Sequence, residues 1–223
     1  MEEKNTKKNR MAEIIKTVRK YPNLASSQLD FPSITEPLAK YISESQFTTI
    51  PDDILELAKR HILDTLASMV VSSQLKPSRL ARQFAIFNGG KGDTAHLLTT
   101  NQTTTLLDAI FANAITAHAA EINDFCPSAF VQPGPPIVST ALSIGETIEA
   151  SGEEILNAVV IGYEIACRLP KALGTMNLRT AGLSSHGVGP MFGSAAAAAS
   201  LLKLPRNSIG YVSILYSTSI RFL

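Results

Sequence analysis

The chain has 223 residues, of which 45% are hydrophobic and 17% charged, a balance that supports a globular core and argues against a disordered chain. A net charge of +1 argues against nucleic acid or an anionic membrane surface as the main partner. The length allows one or two domains.

The charge is uneven. Residues 1–20 hold seven Lys/Arg against three Glu, an excess of four positive charges, so the remainder is net −3. This basic start lacks the apolar run of a secretory signal, and its acids and scarce Ser argue against a transit peptide. Residues 1–33 therefore read as a loosely ordered arm, with a helical turn around 14–18. Residues 34–223 read as one all-α domain.

Within that domain, Thr35 is placed to cap a short helix over 37–43, with Glu36 favouring its positive end. Pro51 suits a first helical position, and Asp52 and Asp53 suit a first turn. Ile54, Leu57, Ala58, Ile62, Leu66, Met69 and Val70 then keep a helical period. A helix over 76–87 stops at Asn88-Gly89-Gly90, and 92–100 reads as a loop with one short extended piece. Helices are expected over 103–119 and 136–150. Ser151 and Glu154 make a capping box that opens a buried helix ending near Pro170. Residues 174–185 read as a polar loop, followed by helices over 186–202 and 205–219, with five alanines at 195–199. The longest apolar stretch, 187–202, is too short to span a bilayer. Cys126 and Cys167 form no CxxC pair, so a reducing cytoplasm is the expected location.

Several chemistries lack their motifs. The four histidines (His61, His96, His118, His186) are far apart in sequence and show no metal-ligand spacing. Residues 88–93 are glycine-rich without phosphate-loop spacing, and no Gly-x-Ser-x-Gly occurs.

Two places carry candidate chemistry. In the first, the apolar helix over 103–119 ends at His118, with Glu121, Asn123 and Asp124 directly after it and Pro127, Gln132, Pro133 and Pro135 beyond. On a helix His118 and Glu121 would share a face, and a carboxylate beside an imidazole suits general acid–base work. An ordinary helix end with a satisfied histidine is the alternative. The second is Ser184-Ser185-His186-Gly187-Val188-Gly189, where N–H groups at a helix start could hold a carboxylate. Its alternative is a Ser N-cap with glycines for close packing. Glu164 and Arg168 read as a structural i, i+4 pair.

Taken in order, these segments resemble the MmgE/PrpD family, which includes 2-methylcitrate dehydratases, cis-aconitate decarboxylases and an iminodisuccinate epimerase. The resemblance runs from about 34 to 220. It is carried by Arg60-His-Ile-Leu-Asp-Thr-Leu66, the His118 to Asp124 element, Pro133-Gly134 with the helix after it, Gly162-Tyr163-Glu164, and the glycine- and alanine-rich stretch after His186.

The resemblance implies a helical domain, usually in a homodimer, joined to a smaller α/β domain. It implies a small di- or tricarboxylic hydroxy acid as substrate, and chemistry without metal or iron–sulfur cofactor. In that chemistry a proton α to a carboxylate is removed and a β-hydroxyl, or CO2, departs. By the same resemblance Asp124, Glu121 and His186 are catalytic, while Asn123, Gln132, His118 and Ser185 bind substrate. Residues depart from the family pattern at several points. Glu121 and Asn123 stand where aspartates are usual, Phe125 stands for Thr, and Gln132 replaces a histidine and cannot transfer protons. His186 lies about two residues late. The sequence stops at Leu223, where a lysine-bearing α/β domain would follow. The expectation is a chain inactive alone, with Tyr211, Tyr216, Ile220 and Phe222 exposing apolar surface. A non-catalytic helical fragment or interaction module is the competing reading.

Overall fold

A computed structural model describes residues 35–46, 49–89 and 94–210. The expected arm, the glycine-rich turn at 90–93 and the apolar residues from Tyr211 onward lie outside the described residues. The described architecture is helical with one small sheet, as the periodicity predicts.

Helices α1 (Thr35–Ser45), α2 (Asp52–Ser72) and α3 (Lys76–Gly89) come first, then a two-stranded antiparallel ribbon, β1 (Ala95–His96) with β2 (Thr103–Thr104). Helices α4 (Leu106–His118), α5 (Gly134–Ile148), α6 (Gly152–Leu173), α7 (Thr175–Thr180) and α8 (Ser185–Leu201) follow, and residues 206–210 are again helical.

Most boundaries fall where local chemistry puts them. Pro51 is the N-cap of α2 rather than its first residue, so Asp52 and Asp53 occupy the first turn. The Ser151 side chain accepts from Glu154 N–H while Glu154 reaches back to Ser151 N–H, a complete capping box at α6.

Three further expectations are corrected. Thr103 and Thr104 lie in a strand, and α4 starts after Thr105, whose Oγ1 accepts from Asp108 N–H. The ribbon is held by buried Asn113, which donates to His96 carbonyl and accepts from Leu98 N–H. Helix α6 continues through Pro170 to Leu173. Proline has no N–H for the Ala166 carbonyl, and Gly189 of α8 lies directly against that oxygen, so the neighbouring helix packs where the ladder opens. The expected loop over 174–185 contains the short helix α7.

Helix α5 is buried almost all round, from Gly134 and Pro135 through Ile137, Val138, Ala141 and Ile144, so its run of apolar residues reads as a central helix. Against it lie α6 and α8, with Val159, Ala166, Ala197 and Leu201 in one shared cluster. The two helices cross closely. A Cβ on Gly162 would meet Gly193 O at 3.1 Å, and one on Gly193 would meet Gly162 O at 2.6 Å. Only hydrogen at both positions permits that spacing. On the far side of α6 and α8, α1 contributes Ala39 and Ile42 to a cluster with Ile161, Ile165 and Phe192. A third cluster joins α3, the ribbon and α4 through Ala81, Ala85, Leu97, Ala109 and Ala112.

Candidate active site

The connection over 119–133 joins α4 to the N-terminus of α5. It carries two non-glycine residues with positive φ, Glu121 at 51° and Phe130 at 52°. Both side chains crowd their own backbone there, a strain usually tolerated where function or tight anchoring requires it. Anchors are present. Cys126 and Val131 form an antiparallel bridge, and Ser185 Oγ of α8 donates to Phe130 carbonyl at 2.6 Å.

An open pocket of about 240 Å³ lies beside this connection, lined by Ala114, Ile115, His118, Gln132, Pro135, Pro136, His186 and Pro190. The structure thus gathers three of the sequence-predicted residues: His118 from the end of α4, Gln132 before α5 and His186 in the first turn of α8. Phe125 stacks near the His186 ring, with centroids 6.3 Å apart, and Phe130 meets it edge-on at 5.2 Å. Burial, with His118 nearby, holds the His186 pKa below its ordinary value, partly opposed by Glu121. Its neutral form therefore prevails at neutral pH and can accept a proton. At α8, Ser184 gives its side chain to no first-turn N–H, which leaves that positive helix end unneutralised by a cap.

Glu121 is exposed and lies beyond the end of α4, so it does not share a helical face with His118 as expected. His118 Nδ1 instead pairs with Asn123 Oδ1 at 3.1 Å. Asn123 is 7% exposed and is thus engaged internally, as is the Ser185 hydroxyl.

Asp124 does not line this pocket. Its Oδ1 accepts from Gly134 N–H at 3.0 Å, and its Oδ2 accepts from Tyr163 O–H at 2.8 Å with His61 Nδ1 at 3.4 Å. Its own N–H donates to Asp64 Oδ2 at 3.1 Å. His61 and Tyr163 were not singled out as site residues from sequence. Both stand in segments that carry the family resemblance, which was the available signal. The hydrogen bond to Asp124, against an opposing burial effect, raises the His61 pKa, while burial and the Asp124 charge raise that of Tyr163. Nearby, Cys126 and Cys167 are free thiols, and burial pushes Cys167 up to about 12.

A larger cavity of about 360 Å³ lies elsewhere, between 46–55, the start of α6 and Lys203. Its Glu154 is already committed to the capping box and to Lys203, and the space has no imidazole. The Glu164–Arg168 pair forms on the surface of α6 as expected.

A helical scaffold with a small open pocket, lined by two imidazoles, an amide and apolar side chains where the end of α4 meets the starts of α5 and α8, defines the class: a mainly helical domain. The profile of the MmgE/PrpD N-terminal domain matches residues 36–213, and the chain belongs to the MmgE/PrpD family. It is also 27% identical, over 179 residues, to a cis-aconitate decarboxylase-like protein of Aspergillus oryzae, a match covering 77% of this chain and 36% of that relative. The chain thus spans about a third of the length of the curated relative it matches. Among the described residues no helix is long and apolar enough to cross a membrane.

Proposed function

We propose that this chain supplies the helical wall of a lyase site for small di- or tricarboxylic acids, with 2-methylcitrate-like dehydration as the leading reaction. The observation that carries the reading is the pocket in which His118, Gln132 and His186 meet. A volume of about 240 Å³ lies below the range of about 300–1,000 Å³ usual for complete ligand sites, as fits one face of a crevice.

In this reading the uncapped start of α8 and the Gln132 amide receive substrate carboxylates. Neutral His186 or Glu121 takes the proton α to a carboxylate, and His118 hydrogen-bonds the substrate. The protonated base returns that proton to the β-hydroxyl, which leaves as water as the double bond forms, and dehydration is complete. In the second reading, supported by the name of the Aspergillus relative, no α proton is removed: CO2 leaves and the carbon that keeps the bond electrons takes a proton from a protonated imidazole. Assembly into a homodimer is part of the proposal through family membership, and a cytoplasmic setting through the unpaired thiols Cys126 and Cys167. Gln132 supports a third reading, a domain that binds without turnover, because an amide cannot replace an imidazole in proton transfer.

The test is titration with 2-methylcitrate, citrate and cis-aconitate, followed by melting temperature and by NMR of the reaction mixture. A carboxylate-dependent rise in melting temperature that His186→Asn abolishes is the expected result. Enoic acid formed with or without CO2 by a full-length family protein carrying this helical half separates the two lyase readings. No stabilisation by any of the three acids would overturn the proposal.

A further inference from the structure

Asp124 was expected to move protons, yet all of its polar groups are occupied. Its two carboxylate oxygens take the Gly134 N–H and the Tyr163 O–H, with His61 alongside, its N–H goes to Asp64, and its carbonyl accepts from Asn123 Nδ2 at 3.3 Å. Its side chain is only 9% exposed. We propose that Asp124 is a latch that clamps the 119–133 connection to α2, α5 and α6 and, through Asn123, fixes which nitrogen of His118 carries the proton.

Three donors converge on one carboxylate, and an uncharged amide there would turn its own NH2 toward one of them. The latch also answers the strain at Glu121 and Phe130, since a connection with two left-handed residues needs fixed anchors to persist.

The second step follows from Asn123. With its Nδ2 on the Asp124 carbonyl, its Oδ1 faces His118 Nδ1. The reversed amide would set oxygen against the carbonyl oxygen, acceptor against acceptor. An amide oxygen only accepts, so in the neutral ring His118 Nδ1 bears the hydrogen and Nε2 keeps its lone pair. Free histidine in water favours the opposite tautomer. Asp124 and Asn123 are therefore positioning residues, and the use of the His118 lone pair rests on the reading of the pocket as a carboxylate site.

The test uses the full chain labelled with 15N, above neutral pH. Long-range 1H–15N spectra report the His118 tautomer, and amide exchange reports the anchoring of 119–133. The wild type is expected to show the Nδ1–H form. Asp124→Asn should mix the tautomers and speed exchange over 119–133 about tenfold. Asn123→Ala should change the tautomer while leaving the Gly134 amide protected, which keeps the test available should Asp124 variants fold poorly. A wild-type His118 in the Nε2–H form, or Asp124→Asn with unchanged exchange, would overturn the latch. Citrate titration of the same samples separates the two ideas. Absence of citrate binding alongside these tautomer and exchange changes sinks the carboxylate reading and leaves the latch standing.

Discussion

The 119–133 connection serves two polar clusters that differ in how completely their groups are used. Around Asp124 the Gly134 N–H, the Tyr163 O–H and the Asp124 N–H each meet an acceptor, and Gly134 leaves no room between Asp124, Thr65 and Tyr163. Around His118, Gln132 and His186 there is open volume and an uncapped helix start. Saturation marks a group that organises structure, whereas unsatisfied capacity beside a cavity marks one that can meet a ligand. The acid matched in kind to the family pattern belongs to the first cluster.

The strongest way to break this contrast is Gly134→Ala. Its Cβ would lie 2.5 Å from both Asp124 Oδ1 and Thr65 Oγ1, and 2.9 Å from the Tyr163 hydroxyl. Forcing the closed cluster apart should cost about 3 kcal/mol, seen as a fall of roughly 10 °C in melting temperature. A loss near zero would mean that the cluster is slack. Next in size, Tyr163→Phe leaves Asp124 Oδ2 one donor short and should destabilise by about 2 kcal/mol in urea titration.

His61 gives a smaller, pH-dependent effect. Its folded-state pKa is raised above 6.5 by the bond to Asp124, with Asp64 adding to that charge and Tyr163 packed against the ring. The stabilisation is complete below the unfolded value and is lost as pH rises through the raised folded value. Because the ring is 42% exposed, solvent screening keeps it below about 1 kcal/mol. His61→Gln should therefore remove that downward slope from a stability–pH series, and a variant that retains it would disprove the assignment. The smallest effect sharpens the open cluster. Glu121→Gly relieves a φ of 51° and should stabilise by up to about 1 kcal/mol. It should also lower the His186 pKa further, measured by NMR titration, because Glu121 raises it.

Local chemistry made much of the fold legible in the sequence. The capping box at Ser151 and the acidic first turn after Pro51 were readable because their partners lie within a few residues. The meeting of His118, Gln132 and His186 was expected from family likeness, since no spacing rule joins residues so far apart. The Asp124 cluster was missed for the same reason: its partners His61 and Tyr163 lie 63 residues before it and 39 after it. Pro170 misled because a proline ordinarily ends a helix, and only the close approach of Gly189 shows how the gap is accommodated.

The contact between Gly162 and Gly193 also couples α6 and α8 mechanically. Backbone against backbone leaves no flexible side chain to absorb a change, so the two helices behave as one lever whose tip carries His186. A single added methyl at Gly193, two turns from that imidazole, would therefore tilt the tip and shift His186 relative to His118 and Gln132 without altering any residue that lines the pocket.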